Sequence, residues 1–381
     1  MIDDTSRHLF GEDHAIFRAQ VRSFLDREAV PHHDRWEREG MVSRAVWQAA
    51  GAQGLLCPTV PEAYGGAGAD PLFSVVVVEE LARAGTSGLG FWVHSEMAVP
   101  YLVNFGTEAQ KHRWLPGVVS GDTIAAVAMT EPDSGSDLRG MRTRATRQAD
   151  GGWLLKGQKV FISNGQMADL VIVAAKTEVE GKDRISLFLL DARSEGFRRG
   201  RNLDKLGVHA QDTSELFFDD IRLPPDALLG EAGEGFAYLR RGLVRERMII
   251  AASCIAKAER ALALTLDHAR QRRIFGRMLL DYQNTRFVLA DVARDITVGR
   301  EFVDGFLARW LAGGLDETNA AIAKLWTTEM VGRVADACLQ LFGGWGYMTE
   351  YPIARLWAEA RVERIAGGTS EVMRDLIGRS L

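Results

Sequence analysis

The stretch Gln340–Val372, QLFGGWGYMTEYPIARLWAEARVERIAGGTSEV, decides the reading of this 381-residue chain. It closes a long helical region with two glycine pairs, Gly343-Gly344 and Gly367-Gly368. Glycine lets backbone N–H groups come close to a ligand, and Thr369 and Ser370 are residue types that cap helices. Upstream of it the apolar spacing is helical. One run carries Val288, Val292, Ile296, Val303, Phe306 and Trp310, and another carries Ile322, Trp326, Met330, Val334, Cys338 and Leu341. Stripes at spacings of three and four must be buried against neighbours, which predicts an antiparallel helix bundle at the C-terminal end.

Further outward the periodicity changes twice. From about Glu12 to Gly121 it is helical, with Phe17, Val21 and Phe24 on one face and a glycine-rich break, PEAYGGAGADP, at 61–71. From about Thr123 to Leu229 come short strand-like runs, TIAAVAM, WLLKGQKVFIS, DLVIVAAK, ISLFLLD and ELFFDDIRL, separated by turn signals such as Asn164-Gly165. Without βαβ alternation the middle segment reads as an antiparallel barrel or sandwich. The expectation is an α+β chain in three parts: helical over 1–122, β over 123–230, and a four-helix bundle over 231–381.

Length and composition suit a water-soluble protein of two or three domains. The formal net charge of −5, with no basic tail or stripe, argues against nucleic acid. Cys57, Cys254 and Cys338 are widely spaced, with no CxxC and no HExxH, so they read as reduced core thiols and no metal site is expected. The opening MIDDTSRHLF lacks a signal-peptide pattern, and no apolar run is long enough to span a bilayer. A cytoplasmic location follows as an expectation.

Three segments could carry chemistry. VAMTEPDSGSDL, 127–138, leaves a strand and turns through Pro132 and Gly135; its hydroxyls and free N–H groups could bind a ring edge or a phosphate, or form an ordinary turn. In VFISNG, 160–165, Phe161 could pack on an aromatic ring and Ser163 donate to a ring nitrogen, or the two could be a core phenylalanine and a turn serine. Glu246 lies on a helical face beside Gly242, Leu243, Ile249 and Ile250, with no basic residue at i±3 or i±4, while Arg245 and Arg247 are expected elsewhere around the helix. It is either a buried carboxylate or a boundary residue that reaches solvent. No GxGxxG follows a strand, so a dinucleotide would have to bind by another route.

These pieces resemble the acyl-CoA dehydrogenases, FAD flavoenzymes, over nearly the whole chain. The resemblance rests on Met129-Thr130-Glu131-Pro132 with Gly135-Ser136-Asp137, on KVFISNG, on Arg272-x-x-Phe275-Gly276 with Gln283, and on QLFGG and Gly367–Glu371. It implies flavin contacts at Val127, Met129, Thr130, Gly135, Ser136, Phe161, Ile162 and Ser163. It also implies contacts at Thr369, Ser370 and Glu371, and contacts from a neighbouring subunit at Arg272, Phe275, Gln283, Gln340, Leu341, Phe342, Gly343 and Gly344, hence a homodimer or homotetramer.

Many members carry their catalytic glutamate directly before the Gly-Thr, where this chain has Gly367. The long-chain and isovaleryl-CoA types place it on the earlier helix in a Leu-x-x-Glu-Arg pattern, and here Leu243-Val244-Arg245-Glu246-Arg247 is similar. The resemblance therefore implies that Glu246 takes the α-proton and that the β-hydride passes to flavin N5, giving a trans-2-enoyl-CoA in fatty acid β-oxidation. The Gly367 amide would polarise the thioester carbonyl. Ser136, Val244, Arg245, Arg247, Gly367 and Gly368 would lie along the substrate, and an electron-transfer flavoprotein would take the electrons. Trp92 and Glu96, in the region that closes the acyl pocket of the family, are bulkier than expected for long chains; they either shape the pocket or point outward. Two other readings stay open: a relative that acts on carrier-protein-bound acyl groups or reduces oxygen, and an FAD-binding relative without turnover.

Overall fold

The computed structural model describes residues 7–381. The first six residues of the opening stretch lie outside them. Helices α1 (Glu12–Glu28), α2 (Val30–Glu39), α3 (Arg44–Ala52), α4 (Pro71–Ala84), α5 (Val99–Phe105) and α6 (Glu108–Ser120) come first. The glycine-rich break ends at Asp70, whose carboxylate accepts from Leu72 N at 2.7 Å and caps α4. A π-helical stretch, Val93–Ala98, runs directly into α5.

The middle of the chain forms one eight-stranded sheet from β1 (Ala125–Ala128), β2 (Arg144–Arg147), β3 (Trp153–Ser163), β4 (Leu170–Val179), β5 (Lys182–Asp191), β6 (Phe197–Asn202), β7 (Thr213–Leu223) and β8 (Leu228–Leu229). The order is β6-β7-β3-β2-β4-β5-β8, with β1 also on β4. Two pairings, β1 with β4 and β2 with β4, are parallel, so the sheet is mixed where a wholly antiparallel one was expected. Strand β4 is buried on both faces. Leu170 and Ile172 join the core shared with α1–α6, while Val171 and Val173 join a second core with Phe188, Leu216 and Phe218.

The C-terminal part is α7 (Gly235–Gln271), α8 (Gln283–Leu311), α9 (Glu317–Phe342), α10 (Pro352–Glu363) and α11 (Ser370–Gly378), with a small hairpin of β9 (Arg273–Ile274) and β10 (Arg277–Met278) after α7. Val292, Ile296, Val303 and Phe306 of α8 and Met330, Val334 and Cys338 of α9 are buried as their spacing requires. Helix α7 is not one-sided: Met248 to Ala252 are all buried, because α4, α8, α9 and α10 pack around it. All three cysteines are buried free thiols. Among the described residues no helix is long and apolar enough to cross a membrane.

Candidate active site

Glu246 lies in the fourth turn of the 37-residue α7. It is 3% exposed, and its carboxylate has no hydrogen-bond partner among the described residues. Burial pushes its pKa up to about 7; the nearby charges of Arg247 and Lys324 oppose that shift and lose to it. Behind it the buried Tyr101 lies against α7, close enough to Gly242 that a Cβ there would fall 2.4 Å from its hydroxyl oxygen.

Opposite stands the turn between α10 and α11. Gly367 and Gly368 have φ of 65° and 95°, the left-handed region that favours glycine. A Cβ on Gly367 would sit 3.2 Å from Glu246 Oε1 and 2.8 Å from Ile250 Cδ1. Neither glycine N–H meets an acceptor among the described residues. The turn is held from both ends: Ala366 N donates to Val362 O at 3.0 Å and Ser370 N to Arg364 O at 3.2 Å. Thr369 caps α11 by accepting from Val372 N at 3.3 Å. A buried unpaired carboxyl with a raised pKa beside two free amide donors can remove a proton from carbon and steady the oxygen that gains charge.

Arg247 lies elsewhere around the helix from Glu246, as expected, and is nonetheless buried. It is 2% exposed; its Nε donates to Gly367 O at 3.4 Å and its Nη1 lies 3.6 Å from Glu317 Oε1. The reason is the burial of α7 on nearly all sides, which leaves a residue 100° round the helix from Glu246 still indoors. Lys324 on α9, which the sequence reading passed over, is also buried and donates from Nζ to Gly368 O at 2.6 Å.

The second cluster joins β1 and its turn to the end of β3. Val127 and Ile162 are buried, Met129, Thr130 and Ser163 half-buried, and Gly135 and Ser136 exposed. Val160 N donates to Thr130 O at 3.0 Å, which brings the two segments together. Phe161 is no core residue: it stands 66% exposed on a β-bulge with φ 60°. Glu131 and Lys159, both buried, anchor the turn. Glu131 accepts from Thr143 N at 3.0 Å, Arg142 N at 2.5 Å and Lys159 Nζ at 2.9 Å, and Lys159 also donates to Met129 O at 2.8 Å. Their sequence signal is weak: the same strand carries the exposed Lys156 and Gln158, and nothing in the spacing marks Lys159 as the buried one.

Comparison with known proteins bears on this geometry directly. The acyl-CoA dehydrogenase N-terminal, middle and C-terminal domain models match residues 11–122, 126–221 and 233–381. The chain belongs to the acyl-CoA dehydrogenase family. It is 46% identical to the mitochondrial long-chain specific acyl-CoA dehydrogenase of Mus musculus over 98% of this chain and 88% of that one. It is 34% identical to the mitochondrial isovaleryl-CoA dehydrogenase of Oryza sativa over 100% and 94%. The crystal structure of an acyl-CoA dehydrogenase from Geobacillus kaustophilus superposes with a TM-score of 0.95 at 44% identity, covering 98% of this chain and 99% of that one. The long-chain and isovaleryl resemblance is therefore borne out, as is the α+β fold of the family.

Within this acyl-CoA dehydrogenase the remaining residues divide by place. Val244 is half-buried against the C-terminal core. Arg245 turns away from Glu246: its Nε and Nη2 lie 2.7 and 2.6 Å from Glu96 Oε2, and Nη2 donates to Thr59 at 3.0 Å. Glu96 is thus buried rather than outward, and Trp92 is half-buried against the C-terminal core. Arg272, Phe275 and Gln283 cluster at the far end of α7 with Gln340–Gly344 at the end of α9. Phe342 stacks on His268 with ring centroids 4.2 Å apart, so its ring is committed to the core. Phe275, at the hairpin tip, is 95% exposed. Arg272 is 26 residues beyond Glu246 on α7, about 39 Å along the helix axis. One protomer does not bring these residues to Glu246.

Proposed function

We propose that this enzyme dehydrogenates the Cα–Cβ bond of an acyl-CoA, with Glu246 as the base. The observation that carries this is the buried, unpaired Glu246 carboxyl beside the free Gly367 amide. Glu246 takes the α-proton from the thioester. The Gly367 N–H donates to the thioester oxygen as enolate charge develops on it. The position before Gly368 lies within reach of Glu246 Oε1, so a carboxylate grown from either place can serve the same reacting carbon.

The cofactor on this reading is FAD, which when bound supplies the acceptor for the hydride that leaves Cβ. The residues present fit it. The Phe161 ring is exposed beside Ser163, Ser370 Oγ is buried without a partner at the start of α11, and nothing stands within 4 Å of a Cβ built on Gly343 or Gly344. Thr130, Ser136, Phe161, Ser163 and Thr369–Glu371 of one protomer would hold it. Arg272, Phe275, Gln283 and Gln340–Gly344 would come from another, in a homodimer or homotetramer. An electron-transfer flavoprotein is the expected electron acceptor. The acyl group is medium to long or branched.

The test is Glu246→Gln. The variant is expected to remain folded and yellow, while anaerobic bleaching by acyl-CoA slows about 10³-fold. Bleaching at the wild-type rate would remove Glu246 from the mechanism. A screen of chain lengths and branched chains by the same readout defines the substrate.

A further inference from the structure

Lys324 stands on the face of α9 that meets α7, among Ala320, Ala323, Thr327 and Val331, all buried. It is 0% exposed. An ammonium taken out of water costs several kcal/mol, and an apolar side chain of its size would serve packing at least as well. Its one hydrogen bond among the described residues is the 2.6 Å donation to Gly368 O. Glu363, the buried carboxylate nearest in charge terms, is already bonded to Lys257. The ammonium thus makes a single hydrogen bond, to a backbone carbonyl, while its charge also faces Glu246.

That carbonyl belongs to a pair of residues with the least intrinsic stiffness a chain can have. Two successive glycines in the left-handed region have many other conformations open to them. Arg247 reaches the carbonyl of the first and Lys324 that of the second, so two buried cations from different helices hold adjacent peptide units. The Gly367 carbonyl shares its peptide plane with the Gly368 N–H and the Gly368 carbonyl with the Thr369 N–H, so the two cations fix the far side of the turn; Ala366 N, bonded to Val362 O, fixes the near side, and between these anchors the free Gly367 N–H is left one direction. We propose that Lys324 is a positioning residue that aims the Gly367 amide at the reacting oxygen, in the dehydrogenase reading above. It touches neither substrate nor flavin; it acts through the backbone. Misdirecting a donor of this kind costs rate more than binding.

The test compares wild type with Lys324→Gln, which keeps a donor on a shorter arm, and Lys324→Met, which keeps only the volume. Two readouts are taken on the FAD-loaded protein. In the first, kcat is expected to fall in the order wild type, Gln, Met, reaching roughly 10- to 100-fold for Met, with KM for acyl-CoA within about threefold. In the second, amide hydrogen exchange over residues 365–373, where Ile365, Ala366 and Ser370 are bonded across the turn, is expected to quicken in the same order. Peptides from α7 and α9 are expected to exchange as in wild type. If Met does not fold, the Gln variant alone must show the local loosening and the intermediate kcat. A folded variant with wild-type kcat and exchange overturns the proposal, and so does loosening that spreads through α7 and α9. The exchange readout needs no turnover, so failure of wild type to oxidise any acyl-CoA would overturn the dehydrogenase reading and still leave the lysine's role measurable.

Discussion

Glu246, the proposed base, shows how placement alone tunes a carboxyl. Its folded pKa is about 7, above its ordinary value of 4.5, because burial disfavours the charged form. The protonated form therefore favours the fold at acid pH, and that contribution is lost as pH rises from 4.5 through 7, a cost of about 3 kcal/mol once ionised. Activity runs the other way, since only the carboxylate accepts a proton. With Arg247 and Lys324 facing it as cations, each held below its ordinary pKa by burial, and Tyr101 as a neutral neighbour, kcat is expected to rise with pH through about 7. A flat kcat profile from pH 5 to 9 would show that Glu246 does not limit the chemistry. The apolar stripe without a basic i±4 partner singled this residue out but left it open between a buried carboxylate and a boundary residue; the Leu-x-x-Glu-Arg resemblance pointed to the former. Arg247 entered only through the resemblance, and Lys324 did not enter at all. A charge next to or within a stripe reads as a side chain on its way to water, and only the packing of α9 and α10 around α7 shows that no water is there.

The elements that present the site are set by buried polar anchors as much as by apolar faces. The turn after β1 depends on Glu131 and Lys159, which are paired at 2.9 Å inside the sheet region. Burial pulls the Lys159 pKa down to about 8, while the Lys159 charge and three donors hold Glu131 below its ordinary value against the opposing effect of burial. Removing one partner leaves the other as an unpaired buried charge, so Lys159→Met is expected to destabilise the protein by roughly 3 kcal/mol and to weaken FAD retention. Adding Glu131→Gln should recover part of that loss, as read by urea unfolding and by flavin absorbance per protomer. Equal losses in the single and double variants would show that the pair is not the anchor. Most of the sheet was legible because β4 and β5 are continuous apolar runs and β3 and β7 alternate apolar and polar residues in part. β2 and β6 were not: Arg144–Arg147 buries only Ala145, and Phe197–Asn202 is a polar edge strand with no fully buried residue, so neither has a pattern to read.

At the scale of the whole molecule, the long α7 separates what a flavin site must unite. Glu246 and the Gly367 turn lie near its start, and Arg272, Phe275 and Gln283 at its end with the Gln340–Gly344 segment. Phe275 and Tyr347 there are 95% and 85% exposed, large apolar rings with no place in the protomer's core. A second copy of the chain, laid so that the end of its α7 meets the start of this one, would cover them and complete the site. The sequence carried these motifs plainly but not their distance apart, which depends on α7 being one unbroken helix. A composite site has a consequence that a self-contained one lacks. Glu246→Gln removes the base, and Arg272→Glu with Phe275→Ser removes the far cluster without touching the core; each variant alone should be inactive. Co-expressed in equal amounts, half of the paired sites would join unlike chains, and in half of those the intact base meets an intact far cluster. Activity should then return to about a quarter of the wild-type level per protomer. No recovery in the co-expressed protein, with mixed oligomers verified by affinity tags, would mean that each chain builds its flavin site alone.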